Sequence, residues 1–269
     1  MPEKEIHGDF VVRPDYDANA EVRRIIEKVR TELDKQLACI DAITDKTLQL
    51  ICIFSLLDSK AQESAAYPAG DSRQAFCSFV LQHEHTYGYL DRVDPVTLFY
   101  RVEDHIDKAV LIPGFPAEKE VSLDSLGYID MRSAREILSS PKADEILKYL
   151  EKKIGSGYAD KKAEEHKLIS LIYRMRSKAT HEMTGLGVES TWHDLNMTEP
   201  YYRDVGRVYV EDEKVVSDDI CELIIPNAFI RHILSDCIDG YLDECSAQCR
   251  MPFSNNVITR KYRLSWYDK

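Results

Sequence analysis

Residues 48–57 read LQLICIFSLL and form the longest apolar stretch of the chain. Ten residues are too few to cross a bilayer, which takes roughly 20 predominantly apolar residues in a helix. The stretch is apolar on most sides of a helix, as expected for a helix that is surrounded by other elements. We therefore predict a central buried helix over about residues 41–65, with the rest of the fold packed around it.

The overall composition is that of a folded protein. The chain has 269 residues, of which 44% are hydrophobic and 30% are charged. This length permits one large domain or two small ones. The net charge of −12 argues against strong sequence-independent binding to duplex nucleic acid, which needs a basic surface. Net charge does not describe how charges are distributed, so a local basic groove stays compatible with it.

Signals for export and for membrane insertion are missing from the sequence. The first residues, MPEKEIHGDFVV, contain no apolar run preceded by basic residues, and no long uncharged apolar window follows elsewhere. The chain has seven cysteines, which form no paired CxxC motifs. An odd number of cysteines without an export signal is typical of a protein whose thiols stay reduced. We expect a cytoplasmic protein without a membrane segment.

Helical periodicity extends over most of the chain. Apolar residues recur at steps of three and four, and Pro and Gly residues separate the periodic segments. Pro95 occupies a favoured first-turn position of one such segment. The predicted helices cover about residues 19–37, 41–65, 73–83, 94–106, 132–139, 142–153 and 159–183.

The pattern changes after residue 200. Two β-rich runs flank the charged turn EDEK at residues 211–214, which predicts a β-hairpin. Pro226 then opens a final helix. The sequence therefore predicts a mainly α fold with a small β-hairpin before the C-terminal helix.

The chain is expected to form one domain. We assign residues 1–18 to an irregular N-terminal segment and residues 19–250 to a single helical domain. Residues 108–130 contain two prolines and form a predicted inserted loop in that domain. Residues 251–269 form a basic, aromatic C-terminal tail. This tail could stack on RNA or pack back on the domain, and we favour packing.

A cluster of chemically versatile residues ends the predicted helix over residues 159–183. Residues 171–182 read LIYRMRSKATHE. Arg174 and His181 are seven apart and share one face of a regular α-helix, whereas Arg176 and His181 are five apart and about 140° away from each other. Arg176 approaches His181 only if the helix loosens near Thr180. Lys178 adds a further positive charge to the face of Arg174.

These residue types suit the chemistry of a phosphodiester. Arginine binds phosphate through paired hydrogen bonds, and histidine can take up or release a proton near neutral pH. In RNA, a base that deprotonates the 2′-hydroxyl allows it to attack the adjacent phosphate, and a nearby cation stabilises the resulting oxyanion. That route needs no metal and no other cofactor. The simpler interpretation is a solvated helix end with favourably placed cations.

The same residues resemble a known family. The run RSKATH at residues 176–181 matches the R-x4–6-H signature of HEPN domains, and the span from Arg174 to His181 also fits its longer form. The segment LIYRMRSKATHEMTGLG resembles a late core helix of these all-α domains. The segment LICIFSLLDSKAQESAAYP, followed by DSRQAFCSFV, is similar to an early helix pair in some bacterial HEPN-like proteins.

The resemblance implies a HEPN-like helical bundle with metal-independent endoribonuclease activity. It implies a homodimer in which Arg176 and His181 are catalytic, and Arg174, Ser177 and Lys178 bind substrate. Such proteins serve in toxin–antitoxin systems or antiviral defence, which implies RNA as substrate and an antitoxin or defence protein as partner. Ser177 stands where the family usually has Asn or another strongly hydrogen-bonding residue. Relatives that lose activity keep the fold as dimerisation or binding modules, which is the alternative function.

Other candidate sites are weaker. His83, Glu84 and His85 could contribute to a metal site, but we favour a surface loop as the explanation of this run. Cys237, Cys245 and Cys249 share one side of the last predicted helix, as core cysteines often do. We therefore expect no metal site. A third, weaker functional interpretation is an enzyme that acts on a phosphorylated metabolite through His181.

Overall fold

A computed structural model describes residues 18–64, 71–98, 132–154, 156–182, 197–211 and 214–253. This part of the chain is mainly helical, with one antiparallel pair of strands. The helices are α1 (Ala18–Asp41), α2 (Lys46–Ser64), α3 (Ser72–His83), α4 (Ala134–Leu138), α5 (Pro141–Ile154), α6 (Ser156–Glu165), α7 (Leu168–Ser177) and α8 (Asn227–Ala247). A short π-helical turn (Lys178–Glu182) follows α7, and the strands are β1 (Tyr201–Glu211) and β2 (Lys214–Ile224).

The predicted central helix is α2, which packs against α1, α3, α8 and the π turn. Leu50, Phe54 and Leu57 of its apolar stretch are completely buried. The helix begins later than predicted because α1 continues to Asp41. The Asp45 side chain then accepts a 2.8 Å hydrogen bond from the backbone N–H of Leu48, which caps the first turn of α2.

Side-chain caps also fix the start of two further helical segments. The carboxylate of Asp71 accepts a 2.9 Å hydrogen bond from the backbone N–H of Gln74 at the start of α3. Asp94 accepts hydrogen bonds from the backbone N–H groups of Val96 and Thr97. These bonds satisfy the first turn of the helical residues 95–98, and residues 99–106 of the predicted helix lie outside the described part of the chain.

The prediction of one continuous helix over residues 159–183 is wrong, because a break separates α6 from α7. Residues 90–94 lie alongside the break, and Val93 forms a β-bridge with Lys167. The backbone N–H of Leu168 donates to the carbonyl of Arg92, and that of Asp94 donates to the carbonyl of His166. These bonds to a distant segment replace the local helical bonds that periodicity alone would predict.

The predicted β-hairpin is confirmed. Tyr201 lies opposite Ile224 at its open end, and Glu211 lies opposite Lys214 beside the predicted turn. Pro226 then precedes α8 with an extended backbone conformation, as predicted for a helix start. The side-chain amide of Asn227 donates a 2.8 Å hydrogen bond to the carbonyl of Lys46, which joins the starts of α8 and α2.

Several predictions concern residues outside the described part of the chain. They are the irregular segment up to residue 17, the inserted loop over 108–130 and the tail from residue 254 onward. Of the predicted tail over 251–269, the structure describes residues 251–253. Phe253 is buried, and its backbone N–H donates a 3.0 Å hydrogen bond to the hydroxyl of Tyr241. This part of the tail packs back on the domain, whereas residues 248–250, directly after α8, are exposed.

Candidate functional site at the end of α7

The segment with the predicted signature leaves α-helical geometry. Residues Lys178–Glu182 (KATHE) form a π turn directly after α7. The hydroxyl of Thr180 donates a 2.9 Å hydrogen bond to the carbonyl of Arg176, and such a bond from a β-branched side chain loosens the helical ladder. Ala179 is only 1% exposed and faces inward, so the turn packs on the core through a small side chain. Isolated π turns within helices are often found at functional sites.

The π turn changes which residues share a face. Its hydrogen bonds span five residues instead of four, so each residue turns the chain through a smaller angle than in an α-helix. Positions five apart, such as Arg176 and His181, therefore come closer together than on a regular helix. Positions seven apart, such as Arg174 and His181, move away from one face. The π turn thus reduces the angular separation of Arg176 and His181 and increases that of Arg174 and His181.

Arg176 is held by α2. Its Nη2 lies 2.5 Å from Oδ2 of Asp58, and the exposed fractions of the two side chains are 11% and 14%. The guanidinium also lies 5.5 Å from the centre of the Tyr173 ring. The Tyr173 hydroxyl is hydrogen-bonded to Ser72 at 3.0 Å, which links the same cluster to α3. The Arg176 side chain is therefore held between Asp58 of α2 and the Tyr173 ring of its own helix.

Arg174 contacts a different helix from the one that Arg176 contacts. It is exposed, and its Nη2 donates a 3.0 Å hydrogen bond to the carbonyl of Glu165, the last residue of α6. A cation at this position satisfies a terminal carbonyl and opposes the negative end of the helix dipole. Through these hydrogen bonds Arg174 contacts α6, whereas Arg176 contacts α2.

The remaining predicted site residues surround the start of the π turn. Lys178 is exposed and Ser177 is half-buried. The backbone of His181 lies within the π turn, and its side chain is outside the described part of the structure. Asp58 is the residue that sequence reasoning missed, because it lies 118 positions from its partner Arg176. Its only signal in the sequence is a carboxylate just after the apolar stretch of a predicted core helix.

A second polar cluster lies in the core beside the break between α6 and α7. Asp94 is completely buried, and burial raises the pKa of its carboxyl group. The Tyr202 hydroxyl donates a 2.6 Å hydrogen bond to it, and burial raises the pKa of this phenol well above its usual value. Nδ1 of His166 lies 3.1 Å from the Thr97 hydroxyl. The cluster joins three chain segments and serves the fold.

The candidate metal residues are dispersed. His83 is buried with its Nδ1 3.4 Å from Glu244, Glu84 caps its own loop at the backbone N–H of Tyr87, and His85 is exposed. Cys237 and Cys245 are buried and Cys249 is exposed. Within the described ranges, no group of three or more His, Cys, Asp or Glu side chains could hold a metal ion.

No family model, no curated protein sequence and no solved structure matches the chain. Among the helices that the structure describes, none combines the length and the apolar character that crossing a membrane requires. The assignment of a function therefore depends on the chemistry of the residues at the end of α7.

Proposed function

We propose that the chain is a metal-independent endoribonuclease of the HEPN type, with its active site at the end of α7. In this proposal the protein is a cytoplasmic homodimer that acts in a toxin–antitoxin system or in antiviral defence. The two protomers would place their Arg176 and His181 residues at one shared cleft. Arg174, Ser177 and Lys178 would contact the RNA backbone next to the scissile phosphate.

The proposed reaction is an internal transesterification. His181 removes the proton of the ribose 2′-hydroxyl, and the 2′-oxygen attacks the neighbouring phosphorus. The bond from phosphorus to the 5′-oxygen breaks, and the leaving oxygen takes up a proton from an imidazolium, which the second His181 of the dimer could supply. The products are a 2′,3′-cyclic phosphate and a free 5′-hydroxyl. Arg176 stabilises the charge that develops on the phosphate oxygens.

The observation that supports this proposal is the π turn at Lys178–Glu182. On a regular helix the two signature residues would lie on different faces, and catalysis by both would be implausible. The turn reduces that angular separation at the place where the signature requires it. A departure from α geometry carries an energetic cost, and such departures persist where the surrounding fold or the function requires them.

A specific observation favours a second candidate, a non-catalytic dimerisation or binding module of the same fold. The side chain of Arg176 is only 11% exposed and already forms an ion pair with Asp58. A cation used in this way contributes to the packing of α7 on α2, and a phosphate would have to share it or displace the carboxylate. Under this candidate the protein binds its partner without turnover of RNA.

The two candidates make opposite predictions for a cleavage assay. The purified protein is incubated with end-labelled single-stranded RNA in the presence of EDTA. The ribonuclease produces fragments with 2′,3′-cyclic ends, and both His181→Ala and Arg176→Ala abolish them. The binding module leaves the RNA intact, although it dimerises or retains RNA in a filter-binding assay.

Two control variants test whether loss of any exposed histidine or arginine lowers the activity. His85→Ala removes an exposed histidine and Arg23→Ala removes an exposed arginine of α1, both away from the end of α7. Both control variants are expected to cleave RNA at the wild-type rate. Intact RNA after incubation with wild-type protein at high enzyme concentration would rule out the ribonuclease and leave the binding module.

A further inference from the structure

We infer that Asp58 is a positioning residue for Arg176, an inference that rests on the proposed ribonuclease function. Asp58 lies outside the R-x4-H signature, on a different helix from Arg176. In this role it fixes the guanidinium that would bind the reacting phosphate.

The first argument is the geometry of the pair. The 2.5 Å contact between Nη2 of Arg176 and Oδ2 of Asp58 joins two side chains that are both largely buried. Charge-assisted hydrogen bonds of this kind are short and directional. Asp58 lies on α2, the central and largely buried helix, so the guanidinium is attached to a regular element of the core. A site built on regular elements is held more accurately than one on loops.

The second argument is that the carboxylate is itself oriented. Nε2 of Gln62, one turn further along α2, donates a 3.0 Å hydrogen bond to the same Oδ2 that binds Arg176. The other oxygen, Oδ1, is buried and accepts no hydrogen bond within the described ranges. Two donors therefore converge on Oδ2, and the hydrogen bond from Gln62 helps to hold this oxygen toward Arg176.

The third argument is the contact between the Arg176 guanidinium and the ring of Tyr173. The Tyr173 ring lies beside the guanidinium, and the hydrogen bond from its hydroxyl to Ser72 fixes the ring in turn. Asp58 and Tyr173 thus hold Arg176 between α2 and a side chain of its own helix. A guanidinium that is held in advance needs no reorganisation when charge develops on the phosphate. Loss of the support should therefore lower kcat more than it raises KM.

The test measures kcat and KM for RNA cleavage, with thermal stability as a parallel readout. Asp58→Asn keeps the shape of the side chain and removes its charge. We expect kcat to fall by about tenfold to a hundredfold, as is typical when a catalytic group is misplaced, with KM much less affected. Asp41→Asn is the matched control, because it weakens another Arg–Asp pair, with Arg231, at the far end of α1. Its kcat should equal that of the wild type.

A second variant covers the case in which Asp58→Asn fails to fold. Gln62→Ala truncates an exposed side chain and leaves the ion pair in place, but frees the carboxylate to turn. We expect a smaller loss of kcat, of severalfold, at unchanged KM. Wild-type kcat in every folded variant would overturn the role of Asp58 and leave the ribonuclease standing. Absence of cleavage by the wild type itself would remove the ribonuclease, and the inference with it.

Discussion

The hydroxyl of Tyr202 donates a 2.6 Å hydrogen bond to Oδ1 of Asp94, although the two residues lie 108 positions apart. Asp94 also caps the first turn that follows Pro95. Its own backbone N–H donates a hydrogen bond to the carbonyl of His166, just before α7. One buried carboxylate therefore ties the β-hairpin to the helical core. The predictions below begin with this contact.

Tyr202→Phe should destabilise the protein by about 1–3 kcal/mol, because a completely buried carboxylate loses a hydrogen-bond donor. Urea denaturation monitored by circular dichroism measures the change in the free energy of unfolding. The double variant with Asp94→Asn serves as the control. It should lose less than the sum of the two single variants, since the two side chains interact directly. Strict additivity of the two losses would show that the hydrogen bond contributes nothing.

Gly240→Ala should destabilise the junction of α8 and α3. A Cβ atom at position 240 would lie within 2.4 Å of the backbone carbonyl oxygen of His83, and backbone cannot move aside cheaply. Overpacking of this kind costs about 1–3 kcal/mol, which a thermal melt would detect. Gly88→Ala is the matched control, because a Cβ there meets no atom within 4 Å. Equal melting temperatures for the two variants would contradict the predicted close approach.

His83 should make stability depend on pH. Burial lowers the pKa of its imidazole, while Glu244 opposes the shift and His85 and Arg250 add to it. In the unfolded chain, His83 binds a proton near the usual pKa of about 6.5, whereas in the folded protein it stays neutral to a lower pH. Between these two pKa values the unfolded state binds more protons than the folded state. The free energy of unfolding therefore decreases as the pH falls from about 6.5 toward the lowered pKa.

The measurement for His83 is the free energy of unfolding between about pH 7.5 and pH 5, near the unperturbed pKa. His83→Gln should lose less stability over this range than the wild type does, because it lacks the titrating group. His85→Gln shows whether removal of any neighbouring imidazole has the same effect. Parallel curves for the wild type and His83→Gln would exclude the predicted contribution.

Arg176→Leu should be far more costly than Arg231→Leu. Removal of Arg176 leaves the largely buried Asp58 carboxylate without its cation, and loss of one partner of a buried pair costs about 3–5 kcal/mol. Arg231 pairs with Asp41, which is half exposed, and such surface pairs contribute about 0–1 kcal/mol. Chemical denaturation of both variants compares the two losses. Similar small losses would mean that water already shields the Arg176–Asp58 pair.

Local sequence signals predicted the elements that are determined locally. The charged turn between two β-rich runs predicted the hairpin, and Pro226 predicted the start of α8. The apolar stretch of α2 predicted the centre of the core. Each of these depends on residues within a few positions of one another, where periodicity and capping operate.

The features that the sequence did not predict depend on distant contacts. The break between α6 and α7 exists because residues 90–94 supply hydrogen bonds there. The partner of Arg176 is far away in the chain, so no spacing rule indicates Asp58. The loosening of the helix near Thr180 was expected only as a condition for Arg176 to approach His181, and the π turn now meets that condition in the backbone. The HEPN assignment stays a prediction.

The joint between α6 and α7 also bears on the order in which the protein folds. The amides of Leu168 and Ile169 donate to the carbonyls of Arg92 and Leu90, so their protection from solvent deuterium depends on docking of that remote strand-like segment. We expect these two amides to exchange together with residues 90–94 as one cooperative unit, separately from the rest of α7. The start of α7, the helix that carries the proposed active site, would then reach its final position only when residues 90–94 dock against it.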